Sequence, residues 1–136
     1  STSIVLLSFN TLSIRLSLYD RTIPNTIIGT VSFSNIHTGA LMSCCIGYKI
    51  DTQFQSSGYG RRMLTMALKI MVTERGMHRI EAYIEPDNDI SLKLVKSLGF
   101  ISEGMAYSYV LMNGQWRDHL RYTYISWYQY PKYGFE

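Results

Sequence analysis

Residues 12–18 alternate, with Leu12, Ile14, Leu16 and Leu18 set against Ser13, Arg15 and Ser17, which is the period-two pattern of a strand with one face in a core. A turn over residues 20–25, containing Pro24, leads to a hairpin partner at residues 27–33, and residues 35–39 turn again. Residues 41–50 predict a third strand, buried on both faces because Cys44, Cys45 and Ile46 are consecutive and weakly polar. The period then changes. Leu64, Ala67, Leu68 and Met71 fall at i, i+3, i+4 and i+7 against Arg62, Thr65, Lys69 and Thr73, a helix with one apolar stripe that Arg75-Gly76 ends. At residues 79–85 alternation returns, Ile80, Ala82 and Ile84 opposing Glu81, Tyr83 and Glu85, and a helical connection makes this strand parallel to the third. Pro86 and Asn88 open a second helix that Gly99 closes, and residues 101–112 and 115–125 form a hairpin about Asn113-Gly114. Residues 1–10 show no clear period and are expected as loop or helix. Residues 127–136 carry five aromatics and are expected to dock on an apolar surface of this chain or a neighbour.

The pattern is α/β (α+β), and 136 residues, 46% of them hydrophobic, suit a single domain spanning residues 1–136. A net charge of +3 without a block of like charges gives no reason to expect nucleic acid as a partner, but it suits an anionic small molecule. Cys44 and Cys45, adjacent in a strand, point to opposite faces and cannot readily pair or build a metal site, so no metal is expected and a reducing, cytoplasmic compartment is. The apolar run at residues 4–7 is far too short to span a membrane.

Gln55-Ser56-Ser57-Gly58-Tyr59-Gly60-Arg61-Arg62, between the third strand and the first helix, is where chemistry concentrates. A small glycine-rich turn leaves backbone N–H groups pointing outward and opens a helix whose first-turn donors carry the positive end of the dipole, a seat for a pyrophosphate. Taken alone, a G-x-G loop before a helix is more often merely a loop. It is not a P-loop, because no Lys-Ser/Thr follows Gly60, and it lacks the third glycine of a dinucleotide fingerprint, whose place Met63 takes.

What remains, Q-x-x-G-x-G, resembles the acetyl-CoA loop of the GNAT N-acetyltransferase superfamily. Asn88-Asp89-Ile90-Ser91 with Leu98-Gly99-Phe100 is similar to that superfamily's N-x-x-S and L-G-F pattern. Residues 113–119, Asn-Gly-Gln-Trp-Arg-Asp-His, resemble the closing hairpin of the RimJ/RimL type of ribosomal-protein-alanine N-acetyltransferases. The resemblance runs from about residue 16 to about residue 125, taking in Ile27-Ile28-Gly29 and Phe33-Ser34-Asn35. It implies a GNAT fold, with a mixed sheet of about six strands, a V-shaped splay between the third and fourth predicted strands, and helices on its faces. By the same resemblance Tyr48 and Ile50 offer backbone to the pantetheine arm of acetyl-CoA, while Gln55, Ser57, Gly58, Tyr59, Gly60 and Arg61 cradle the pyrophosphate. Asn88 both caps the second helix and touches the cofactor. Ser91, in line with Leu94, Val95 and Leu98, lies beside the cofactor's sulfur as partner of the departing thiolate. On spacing alone, Ser91 could equally bond back to its own helix. The family's usual opening strand and helix pair are not recognisable before residue 12, so the chain is expected to be N-terminally truncated relative to the family, with exposed apolar surface favouring a homodimer.

Acetyl transfer by direct attack needs a polarised carbonyl, a neutral amine and a stabilised thiolate. Glu81 is the candidate base, reached through water, with a tyrosine or His119 as the alternative end of that water relay, and a solvated strand carboxylate is the competing reading of Glu81. The glutamate that RimL-type relatives carry before the hairpin turn falls at Val110 here. Neutralising an amine at pH 7 costs roughly 1 kcal/mol for an α-amine and roughly 4.6 kcal/mol for lysine, so a site without a strong base suits a protein N-terminus as acceptor. A small amine acceptor and a non-catalytic CoA-binding module are the alternatives.

Overall fold

The computed structural model describes residues 2–9 and 13–126. Among the described residues seven strands form one mixed sheet in the order β1-β2-β3-β4-β5-β7-β6. They are β1 (Thr2–Phe9), β2 (Ile14–Asp20), β3 (Ile27–His37), β4 (Ser43–Ile50), β5 (Arg79–Ile84), β6 (Ile101–Met112) and β7 (Gln115–Ile125). Helix α1 (Tyr59–Thr73) joins β4 to β5, and α2 (Asp89–Ser97) joins β5 to β6. Only β4 and β5 pair in parallel; the other neighbours are antiparallel.

The expectation of loop or helix at residues 1–10 is corrected: Thr2–Phe9 is an edge strand against β2. Its register shifts between Leu6 and Ser8, and a bulge there breaks the alternation by which a strand is read from sequence. The docking expected of residues 127–136 lies outside the described residues.

Strand pairing decides which side chains share a face. Leu16↔Val31, Val31↔Tyr48, Cys44↔Ile80, Ile46↔Ala82 and Ala82↔Tyr122 put one apolar set on a single side of the sheet. Both helices cover that side, because both crossovers advance in the same direction along the sheet and share the usual right hand. Arg61 Nη1 donates to Ser97 Oγ at 2.6 Å, tying α1 to α2 there. Beneath them Met63, Leu64, Ala67, Leu68 and Met71 of α1 and Leu92 and Val95 of α2 are buried with Ile46, Ile80, Ala82 and Phe33. A fully buried side chain of this kind contributes roughly 1.5–3 kcal/mol.

The opposite side is polar, and Arg79, Glu81 and Tyr83 alternate with the buried Ile80, Ala82 and Ile84. Cys44 is buried while Cys45 is half-buried on the far side beside Asn35, and burial pushes the Cys44 thiol up to about 12. Gly99 closes α2, its N–H donating to Lys96 O and the N–H of Phe100 to Val95 O at 3.1 Å each, and Phe100 is driven into the core. Among the described residues no helix is long and apolar enough to cross a membrane, and no group of three or more His, Cys, Asp or Glu could hold a metal ion.

Candidate active site

The site begins where β4 and β5 part. They pair only from Ser43↔Arg79 to Ile46↔Ala82, although β4 runs on to Ile50 and β5 to Ile84. Beyond Ile46, β4 stays tied to β3 as far as Gly29↔Ile50, and β5 stays tied to β7 as far as Ile84↔Leu120. Two strands held by outer neighbours and released from each other leave a wedge with backbone along its inner edges. An extended ligand bearing amides can bond there as an added strand would.

A cleft of ≈ 380 Å³ opens from this wedge. Of the residues singled out from sequence, Tyr48, Ile50, Gln55, Gly60, Asn88 and Ser91 line it. Ser57, Gly58, Tyr59 and Arg61 frame the entry to α1 without lining the cleft, and Arg61 spends its guanidinium on Ser97. Lys49, Thr52, Ser56, Ile90 and Leu94 also line it and were not anticipated. Leu94 was legible, since it stands one helical turn from Ser91; Lys49 and Ser56 sit beside predicted residues with no spacing signal of their own.

The helix entrance leaves backbone donors outside the helix's own hydrogen bonding. Arg62 N–H donates to Gly58 O at 3.2 Å, so the amides of Tyr59, Gly60 and Arg61 precede the first intrahelical bond and remain as first-turn donors. Gly58 caps the helix at φ 81°, a left-handed conformation that reverses the loop into α1. Gly60 has no such φ. Its need is space, because a Cβ there would lie 3.3 Å from Leu94 Cδ2 and 3.9 Å from Ile50 Cγ1. Gln55 Nε2 donates to Ile50 O at 3.3 Å, joining the loop to the end of β4. Tyr59 is braced from outside: its hydroxyl donates to Asp20 Oδ2 at 2.8 Å, its ring meets Phe54 edge-on, and the Arg62 guanidinium lies over it.

At the wedge, Asn88 Oδ1 accepts from Ser91 N–H at 3.2 Å, the N-cap of α2. Ser91 Oγ does not bond back to its helix; it hydrogen-bonds the Tyr48 hydroxyl of β4. Burial raises the Tyr48 phenol above its ordinary value, partly offset by the bond to Ser91, so Tyr48 is neutral at physiological pH. A neutral phenol and a serine hydroxyl therefore face each other in the cleft.

Glu81 lies elsewhere. It stands on the polar side, where Arg79 Nε donates to its Oε2 at 2.8 Å and the Tyr83 hydroxyl to its Oε1 at 2.9 Å. Both carboxylate oxygens are therefore engaged. Arg79 also binds Glu103, which Arg121 approaches to 3.2 Å and Thr123 Oγ1 contacts at 2.5 Å, and Arg117 comes within 3.9 Å of Glu85. Burial would raise the Glu103 carboxyl, but hydrogen bonds from Arg79 and Thr123 and the charges of Arg79 and Arg121 hold it below the usual carboxylate range. Burial and the Glu81 bond push the Tyr83 phenol well up. Val110 is half-buried opposite Arg117. His119 is buried beside the Tyr109 ring, its Nδ1 3.2 Å from Arg117 O.

A cleft lined by the released end of β4, the loop into α1 and the first turn of α2, with first-turn amides of α1 and the Tyr48 and Ser91 hydroxyls, fits a ligand with an anionic head, an amide-bearing arm and a reactive tip. The family comparison agrees: residues 8–101 match the acetyltransferase (GNAT) domain, and the chain belongs to that family. Over 94 residues it is 42% identical to the [ribosomal protein uS5]-alanine N-acetyltransferase of Escherichia coli, an alignment covering 69% of this chain and 48% of that protein. The chain thus spans about half the length of the curated relatives it matches. The ribosomal-protein-S5-alanine acetyltransferase of Vibrio fischeri superposes with a TM-score of 0.80 at 35% identity, over 84% of this chain and 62% of that one. RimJ of Mycobacterium smegmatis, solved in complex with CoA-disulfide, superposes with a TM-score of 0.79 at 28% identity, over 89% and 56%.

Proposed function

We propose that this chain binds acetyl-CoA in the wedge between β4 and β5 and transfers its acetyl group to the N-terminal α-amine of a protein, by direct attack within a ternary complex. The observation that carries the reading is the single cleft in which the entrance of α1, the released edge of β4 and Ser91 converge. The cofactor supplies an activated thioester. The amides of Tyr59, Gly60 and Arg61 hold its pyrophosphate, with Ser57 and Gln55 in the same loop, and backbone at Tyr48 and Ile50 aligns its arm. Asn88 fixes the first turn of α2 and thereby the place of Ser91, whose hydroxyl meets the departing thiolate. Free thiols at Cys44 and Cys45 suit a reducing, cytoplasmic setting.

The charge pattern of the polar side favours an α-amine over a polycationic small amine. Glu81 and Glu103 are already engaged by Arg79 and Arg121, while Glu85 lies 3.9 Å from Arg117 with its Oε1 making no hydrogen bond, so two of these three carboxylates are already committed to arginines. With both oxygens of Glu81 already accepting bonds, we assign it to this network, and the proton of the attacking amine passes to water. Release of CoA thiol is measured with a peptide beginning in Ala or Ser, the same peptide blocked at its N-terminus but carrying one lysine, and spermidine. Faster turnover of the blocked peptide or of spermidine would overturn the acceptor assignment. Binding of acetyl-CoA without thiol release from any acceptor would reduce the chain to a CoA-binding module.

A further inference from the structure

We infer that the Tyr48 side chain is a positioning residue, which donates a hydrogen bond to Ser91 Oγ and so leaves the serine proton aimed at the sulfur. This rests on the reading of Ser91 as the thiolate's partner. It goes beyond that reading because the family resemblance gives Tyr48 a backbone role only.

The four serine and threonine hydroxyls of α1 and α2 provide the comparison. Thr65 Oγ1 donates to Arg61 O at 2.7 Å, Thr73 Oγ1 to Lys69 O at 2.6 Å and Ser97 Oγ to Leu94 O at 2.7 Å, each satisfied within its own helix. Ser91 departs from this habit. The partner of Ser91 Oγ is a phenol reaching across from β4. Of the two hydroxyls the phenol is by far the stronger acid, so it is the better donor, and Ser91 accepts on one lone pair. The serine's single proton is then uncommitted and turned toward the cleft that both residues line.

The balance of the step is simple. A bond forms between the amine nitrogen and the acetyl carbon, the carbon–sulfur bond breaks, the electron pair leaves on sulfur, and the amine's proton goes to water. Ser91 and Tyr48 each keep their own proton. As charge grows on sulfur, the Ser91 O–H donates to it, and the Tyr48 O–H polarises the serine further, a cooperative chain of two hydrogen bonds.

The test uses Tyr48→Phe, which removes one oxygen and preserves the ring, beside Ser91→Ala and the double variant. Two quantities are read: acetyl transfer at saturating substrates, and the pH at which the thiol of bound CoA ionises, followed by thiolate absorbance without any acceptor. Tyr48→Phe is expected to lower kcat on the order of 10-fold, raise the bound thiol's ionisation pH and leave CoA affinity by calorimetry within about twofold. The double variant is expected to be no slower than Ser91→Ala, since the tyrosine acts through the serine. If Ser91→Ala loses rate and shifts the thiol while Tyr48→Phe behaves as the parent, the inference fails and the Ser91 reading stands. If Ser91→Ala changes neither quantity, the Ser91 reading itself fails. Loss of CoA affinity in Tyr48→Phe with kcat unchanged would mark the phenol as packing alone and overturn the inference.

Discussion

At residue scale, Gly58 and Gly60 resist substitution for different reasons, and the difference is measurable. Gly58 holds φ 81° in open space, so Gly58→Val meets no neighbour but strains the backbone by about 1–2 kcal/mol and disturbs the turn into α1. Gly60→Val keeps a helical backbone and instead forces a branched side chain against Leu94 and Ile50, narrowing the cleft. Both are expected to weaken acetyl-CoA binding at least about 10-fold in calorimetry, whereas Gly60→Ala, whose lone Cβ asks Leu94 to give only slightly, loses less than Gly60→Val. Unchanged affinity in the valine variants, with the far-ultraviolet spectrum intact, would remove the anion seat from this loop. Ser91→Ala is expected to lower kcat at least about 10-fold while CoA affinity holds, because a thiolate partner acts mainly as charge develops. Parallel loss of thermal stability and rate would point to helix packing instead. Sequence alone could not settle the serine's role: its partner, Tyr48, is distant in the chain, and no local pattern announces a contact made only when β4 and α2 are both in place.

The elements most legible in the sequence were those specified by their own residues. The stripe of α1, the Asn113-Gly114 turn with both residues at positive φ, and the closure of α2 at Gly99 depend on neighbours within a few positions. Less legible were β1 and the two irregularities of β6, at residues 102–105 and 106–110, where Gly104 and Ser108 take positive φ and the pairing with β7 slips. Tyr107 shows the consequence: it stands 77% exposed, while Tyr109 turns to stack on Tyr83 with ring centroids 4.4 Å apart. A second long-range feature concerns the entrance of α1. Asp20 ends β2, and bonds from the Thr22 hydroxyl and amide and from Tyr59 hold its carboxyl well below the usual range. A depressed folded value means that this brace is complete above the unfolded carboxylate range and weakens only as pH falls below it. Tyr59→Phe should therefore raise the Kd for CoA a few-fold at any pH from 6 to 8, with kcat at saturation unchanged. A Kd equal to that of the parent would show that α1 needs no tie to β2 to hold its anion.

Over the whole molecule, the sheet separates two chemistries, a cleft under the helices with neutral hydroxyls and a polar side where Glu81 and Glu103 are engaged by arginines. That division was only half visible beforehand, since the alternation of Arg79, Glu81 and Tyr83 was plain but the partner carboxylate Glu103 and the guanidinium of Arg121 come from β6 and β7, which pairing brings alongside β5. It also bears on how the rate depends on pH. If Glu81 were the base, the profile of kcat/KM would carry an acidic limb belonging to the enzyme, and Glu81→Gln would cost roughly 10²- to 10⁴-fold. Glu81 stands with Arg79 and Tyr83 on the polar side and does not line the cleft, so the arrangement favours a rate limited by the acceptor's own ionisation. The expected profile rises with pH and levels off near the free α-amine's value of about 8, and Glu81→Gln moves neither the plateau's position nor its height by more than a few-fold. What Glu81→Gln should change is stability, because it leaves Arg79 with a weaker partner. Measuring kcat/KM between pH 6 and 9.5 alongside thermal unfolding separates the two: loss of rate at constant melting temperature would make Glu81 catalytic, and loss of melting temperature at constant rate would leave it in the network.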